Sequence, residues 1–140
     1  MLNKHLRNGE VIMEYNLKEG LTFTVETIVD SNKTASFYGS GSLDVYATPA
    51  MIALMENAAM NCVQEELHEG FGTVGIEISV KHSKATPLGM KVRAEATLEK
   101  IDRKKLFFKV EAYDERGKIG EGSHVRYIIN SEEFMNRTQE

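Results

Sequence analysis

Apolar and polar positions follow two regimes along the chain, and the switch lies near Gly70. Across residues 45–64 apolar side chains crowd every turn of a helical wheel, and Glu56 is the one charged residue. A helix apolar nearly all round is buried nearly all round. Thr48-Pro49 marks its start, because Thr is a favoured N-cap and Pro in the first turn gives up no needed donor. The run extends to about His68 and meets a natural stop at Gly70. That predicts a helix of about 20 residues, roughly 30 Å long.

After Gly70 the period becomes two. Val74, Ile76, Ile78 and Val80 alternate with polar residues or glycine. Met90, Val92, Ala94, Ala96 and Leu98 do the same, followed by Leu106, Phe108, Val110 and Ala112, and then by Val125, Tyr127 and Ile129. Turn signals stand between runs at Pro87-Leu88-Gly89 and Glu115-Arg116-Gly117. Upstream, residues 21–29 read as a Thr/Val-rich strand and residues 33–38 as a short one. The order is strand, one long buried helix, then three or four antiparallel strands. This is an α+β pattern, with no βαβ alternation. A curled antiparallel sheet wrapped around one central helix satisfies both partners, which is the hotdog architecture.

Length and composition narrow the picture. The 140 residues contain no linker, repeat or low-complexity tract and only two prolines, so residues 1–140 read as one domain. A net charge of −4 argues against nucleic acid as a partner, because phosphates require a basic face. No stretch approaches the roughly 18 apolar residues of a membrane span, and residues 1–10 lack the apolar core of a signal peptide. The expectation is a cytoplasmic protein with no membrane partner and a polar, loosely held tail from Ser131. The single cysteine, Cys62, excludes an intrachain disulfide and reads as a buried structural residue. The four histidines show no metal-ligand spacing, so no metal is expected.

Three residues break their local pattern. Glu56 has Ile52, Ala53, Ala59 and Met60 as helical neighbours, all apolar. Its carboxylate either reaches water at the edge of that face or serves as a tuned acid, base or nucleophile. His82 continues the phase of Val74 to Val80, which aims it at the helix. It is either a hydrogen-bonded core histidine or a proton carrier working with the glutamate. Thr48 is explained by capping alone, yet a hydroxyl at a helix N-terminus can also stand beside a developing oxyanion.

The segment from Val45 to Met51 continuing through Leu54-Met55-Glu56, the run Thr73-Val74-Gly75 to Val80-Lys81-His82, and Gly122-Ser123-His124-Val125-Arg126 resemble the fluoroacetyl-CoA thioesterase-like family of hotdog proteins. The resemblance covers residues 17–130. It implies a homodimer or a higher oligomer, an acyl-CoA thioester as substrate, and no cofactor beyond the coenzyme A of that substrate. It implies a catalytic set matching Thr48, Glu56 and His82, and substrate contacts at Gly75 and Arg126. By phase alone Arg126, opposite Val125 and Tyr127, is a surface arginine. Fluoroacetate selectivity is not implied, because Gly39-Ser40-Gly41-Ser42 stands where the family's founding enzyme carries aromatic lid residues.

On this reading His82 shuttles a proton. Glu56 orients it, activates water or attacks directly. Thr48 is nucleophile, water-holder or donor. A glycine at 75 lets substrate approach the main chain. Thr48 and Glu56 are eight residues apart, about 12 Å along a helix axis. They cannot share a hydrogen bond, so the catalytic set is expected to draw on two chains. Residues 81–105 hold eight bases against three acids, either a solvated strand face or a landing site for nucleotide phosphates that Lys91→Ala or Arg93→Ala would weaken. Two other functions fit the pattern less well: a non-catalytic acyl-CoA-binding module, and a hotdog enoyl-CoA hydratase or dehydratase.

Overall fold

The computed structural model describes residues 3–7, 10–14 and 16–140, with side chains from residue 16 onward. The reading of residues 1–10 as lacking a leader falls partly on positions outside the described residues. Strands β1 (Asn3–Arg7) and β2 (Glu10–Glu14) pair antiparallel as a separate hairpin that the hydrophobic pattern does not predict.

The main body is a five-stranded antiparallel sheet around one long helix, the hotdog arrangement expected from the pattern. Its strands are β3 (Thr22–Ile28), β4 (Phe71–His82), β5 (Lys91–Asp102), β6 (Lys105–Asp114) and β7 (Gly117–Asn130), in the order β3-β5-β6-β7-β4. The short helix α1 (Ala35–Tyr38) replaces the strand expected over 33–38, because the Thr34 side chain accepts from Phe37 N and caps a helical turn. Thr34 keeps only an isolated bridge to Tyr46.

Helix α2 (Thr48–Gln64) has 17 residues and stops a turn before the expected end. It lies against β5 and β3, with lighter contacts to β4, β6 and β7. Met51, Met55, Ala58, Ala59, Cys62 and Val63 are its buried face. Opposite them stand Val92, Ala94, Ala96 and Leu98 of β5 and Leu106, Phe108, Val110 and Ala112 of β6, all buried as the alternation predicts. The paired alanines on α2 and β5 let helix and sheet approach closely. The expectation of a helix buried all round needs correcting. Ala53 is exposed and Ile52, Leu54 and Met60 are only partly covered, because one sheet covers one side of a helix.

Bulges between Gly75 and Glu77, Leu98 and Lys100, and Ala112 and Tyr113 add local twist to the sheet. The first corrects the phase of β4. Val74 pairs with Tyr127 and Glu77 with Val125, leaving Ile76 as the extra residue, 52% exposed. Val74 and Ile76 therefore do not share the helix-facing side with Ile78, Val80 and His82.

The tail is also more ordered than its composition suggests. Asn130 caps α3 (Ser131–Arg137) by accepting from Glu133 N at 3.0 Å, with Glu132 and Glu133 in the first turn and Arg137 in the last. No described helix is long and apolar enough to cross a membrane.

Candidate active site

The first half of the site lies where α2 begins. Ala47, extended at φ −73° and ψ 138°, occupies the N-cap position, and Thr48 is the first helical residue. This corrects the capping role expected of Thr48. Its hydroxyl makes no cap bond and lies 2.7 Å from His82 Nδ1. His82 ends β4 opposite Gly120 of β7, so strand phase aims it at α2 as expected. Its ring packs edge-on to Tyr46, with centroids 6.3 Å apart at 80°. His82 Nε2 and Tyr46 Oη are both buried with no hydrogen-bond partner among the described residues. Burial holds His82 below its ordinary value, so the imidazole is neutral near pH 7. A cleft of about 280 Å³ opens here, lined by Ser40, Tyr46, Thr48, His82 and Lys84 among others.

The second half lies two helical turns further along α2. A Cβ built on Gly75 would stand 3.1 Å from Glu56 Oε2, 3.1 Å from His124 Cε1 and 3.4 Å from Arg126 Nη1. Glycine here leaves room that three polar side chains surround. Arg126 is opposite Gly75 in register and only 7% exposed, which corrects the expectation of a surface arginine. Its Nε donates to Thr73 Oγ1 at 2.7 Å, Nη2 to the Thr73 carbonyl at 2.9 Å, and Nη1 to His124 Nε2 at 3.1 Å. His124, 1% exposed, lies 2.7 Å through Nδ1 from the Glu77 carbonyl. Among the described residues Arg126 forms no ion pair with Glu56, although the two charges lie close enough to interact electrostatically.

Within one chain, then, Thr48 joins His82, and Glu56 joins Gly75, His124 and Arg126. The five residues singled out from sequence form two clusters at different levels of α2 and along one strand, β4. His124 was visible in the sequence only as part of a His-x-Arg pattern. The signal that finds it is strand spacing, because residues two apart on a strand share a face. The inner side of β7 runs Gly120, Gly122, His124, Arg126, Ile128, while the apolar set Val125 and Tyr127 lies opposite.

The basic run over residues 81–105 does not form one patch. Lys91 lies 3.9 Å from Glu26, and the Arg93 guanidinium covers the Tyr113 ring at 4.1 Å. Arg103, Lys104 and Lys105 sit at the far end of β5, about 40 Å of strand away. Lys84, exposed, is the one base of that run that lines the Thr48–His82 cleft. Cys62 is buried, and burial pushes its thiol up.

A family model described as fluoroacetyl-CoA-specific thioesterase matches residues 29–132. The fluoroacetyl-CoA thioesterase of Streptantibioticus cattleyicolor is 33% identical over 128 residues, spanning 87% of this chain and 92% of that protein. A point mutant of the fluoroacetyl-CoA-specific thioesterase in complex with fluoroacetate and CoA superposes with a TM-score of 0.79 at 32% identity, covering 84% of this chain and 99% of that one. A thioesterase-superfamily member from Thermus thermophilus superposes with a TM-score of 0.81 at 31% identity, covering 87% and 90%.

Proposed function

The chain belongs to the fluoroacetyl-CoA-specific thioesterase family, and from that premise we propose how its own residues hydrolyse an acyl-CoA thioester. The observation that carries the proposal is the division of the site into a Thr48–His82 pair and a Glu56–Gly75–Arg126 cluster. Neither half is complete alone. One half has a neutral imidazole bonded to a hydroxyl, and the other has a carboxylate and a guanidinium around an open glycine.

A second copy of the chain brings the halves together. β4 is an edge strand of 12 residues, and an unpaired edge of that length invites another strand. Exposed Ile76 and Ala53 and the partly open Ile52 and Met60 of α2 supply apolar surface for the same contact. Antiparallel pairing of β4 with its copy about a two-fold axis at Ser79, with Ile76 passed over as the bulge residue, sets His82 opposite Gly75 of the partner subunit. The homodimer then holds two identical composite sites. Within one chain Gly75 and His82 are seven residues apart on β4, about 23 Å.

In each composite site the thioester carbonyl lies over Gly75, and its developing oxyanion takes hydrogen bonds from Arg126 Nη1 and the main chain. Glu56 takes a proton from the water that attacks the carbonyl carbon, or attacks that carbon directly to form an anhydride that water then cleaves to the free acid. The C–S bond breaks, and His82, steadied by the Thr48 hydroxyl, relays to the departing thiolate the proton that the attacking water gives up. Lys84 meets the phosphates of coenzyme A at the rim. No cofactor enters beyond the coenzyme A of the substrate. The cleft suits a small or medium acyl group. The Gly39–Ser42 stretch sets no aromatic side chain there, so we assign no selectivity for fluoroacetate.

Free-thiol release from a panel of acyl-CoAs tests the reading, with Glu56→Ala and His82→Ala as controls. The expected result is thiol release by the wild type, lost in both variants. Acyl-CoA binding with no thiol release would instead indicate a binding module, and hydration of enoyl-CoA without thiol release a hydratase.

A further inference from the structure

His124 is more buried than any residue singled out from the sequence for the site, and the chemistry above does not use it. Its two ring nitrogens face partners of opposite kind. Nδ1 lies 2.7 Å from the Glu77 carbonyl, which can only accept. Nε2 lies 3.1 Å from Arg126 Nη1, which can only donate. The partners therefore fix one state: Nδ1 carries the proton, Nε2 carries none, and the ring is neutral. Phe108 packs on it at 6.2 Å between centroids and leaves the ring little room to turn.

The carbonyl that anchors Nδ1 belongs to Glu77, at the β4 bulge, so the same ring ties the bulge to the guanidinium. Arg126 is held at three of its nitrogens: Nε and Nη2 by Thr73, and Nη1 by His124. Of these, only the His124 bond engages the nitrogen that borders the Gly75 space. Across that space lies the Glu56 carboxylate, which attracts the guanidinium. A charge-assisted pair with Glu56 would be the ordinary outcome for two such groups, and it would occupy both the carboxylate and the oxyanion donor.

We propose that His124 is a positioning residue: as a neutral acceptor it holds Arg126 Nη1 over Gly75 and keeps the guanidinium from closing onto Glu56. The proposal rests on the roles given above to Glu56 and Arg126. Two substitutions separate the two bonds of the ring. His124→Gln carries a carbonyl oxygen toward Arg126 and retains an acceptor. His124→Asn, one methylene shorter, keeps a donor for Glu77 and offers Arg126 nothing.

Thiol-release kinetics on His124→Gln, His124→Asn, Arg126→Ala and the His124→Asn/Arg126→Ala double variant make the first test, with thermal unfolding as the control for folding. The expected result is kcat within about threefold of wild type for Gln and a loss of about ten- to hundredfold for Asn. The Asn substitution should add nothing once Arg126 is gone, because it acts through that side chain. Full activity of His124→Asn, or a loss that multiplies with that of Arg126→Ala, would overturn the proposal.

Nitrogen-15 NMR gives a reading independent of catalysis. The His124 ring should show a single proton, on Nδ1, at pH 7. The Arg126 Nη1–H signal, the hydrogen that His124 Nε2 accepts, should be protected in wild type and His124→Gln and lost in His124→Asn. A doubly protonated ring, or an Arg126 signal indifferent to both changes, would overturn the positioning role. A wild type that releases no thiol but passes the NMR test would overturn the hydrolase reading alone.

Discussion

Replacing Gly75 by alanine adds one methyl group at the point where Glu56, His124 and Arg126 converge. The new Cβ would stand 3.1 Å from Glu56 Oε2 and 3.1 Å from His124 Cε1, so its neighbours must give by a few tenths of an ångström. Glu56 ends in a flexible carboxylate and can move. His124 is tied at both ring nitrogens and resists. The cost of overpacking should therefore fall near the low end of its usual range, about 1 kcal/mol. For a chain of this size that lowers Tm by about 4 °C. Activity should suffer far more. The methyl occupies the place of the thioester carbonyl, and a displacement of about 1 Å at a reacting centre costs roughly a hundredfold, or about 2.7 kcal/mol of transition-state stabilisation. The assay is kcat/KM for acyl-CoA hydrolysis at 25 °C beside a thermal melt. A folded Gly75→Ala protein with full activity would refute the placement of substrate over Gly75. Gly122→Ala makes a useful contrast: its Cβ would collide with the Ser79 carbonyl, so it should fail to fold rather than fail to react.

Thr48→Ala should cost kcat at least tenfold while changing stability by under about 0.5 kcal/mol, because its hydroxyl serves His82 and caps nothing; a melt beside thiol-release kinetics checks both. Hydrolysis should fall as pH drops through the His82 value, which burial sets below the ordinary histidine range, and a kcat/KM profile locates that limb. The same shift affects stability. Below about pH 6.5 the unfolded chain binds protons that the buried, neutral His82 and His124 do not, so unfolding free energy should decline from there toward the lower folded-state values in urea titrations. Lys84→Ala should raise KM for acyl-CoA and reduce its salt dependence while leaving KM for a short acyl-cysteamine thioester unchanged.

The long helix and the four strands downstream of it could be read from hydrophobic period, because β5 and β6 alternate without interruption over Val92–Leu98 and Leu106–Ala112, and β3 from its Thr/Val-rich composition. The β4 phase could not, since the bulge at Ile76 leaves no mark in the alternation of Val74, Ile76 and Ile78. His82 was aimed correctly because it lies on the far side of that bulge, in register with Ile78 and Val80. The inner face of β7 was assigned to Val125, Tyr127 and Ile129 by hydrophobicity. The face is instead given to glycines, His124 and Arg126, because close packing on α2 and the polar site both displace large apolar side chains there. Thr48 shows the same limit on a smaller scale. Its side chain could satisfy a helix end or a histidine, and only the position of Ala47 and the arrival of β4 decide between them.

The claim that each site is built from two chains has a direct test. Glu56→Ala and His82→Ala proteins, each inactive as a homodimer, are mixed, allowed to exchange subunits and assayed for thiol release. If Glu56 of one chain works with His82 of the partner subunit, half of the dimers formed at equal concentrations are mixed, and each holds one intact site. Activity should then return to about one quarter of wild type. If the set is completed within a single chain, every site in every dimer remains broken, and mixing restores nothing.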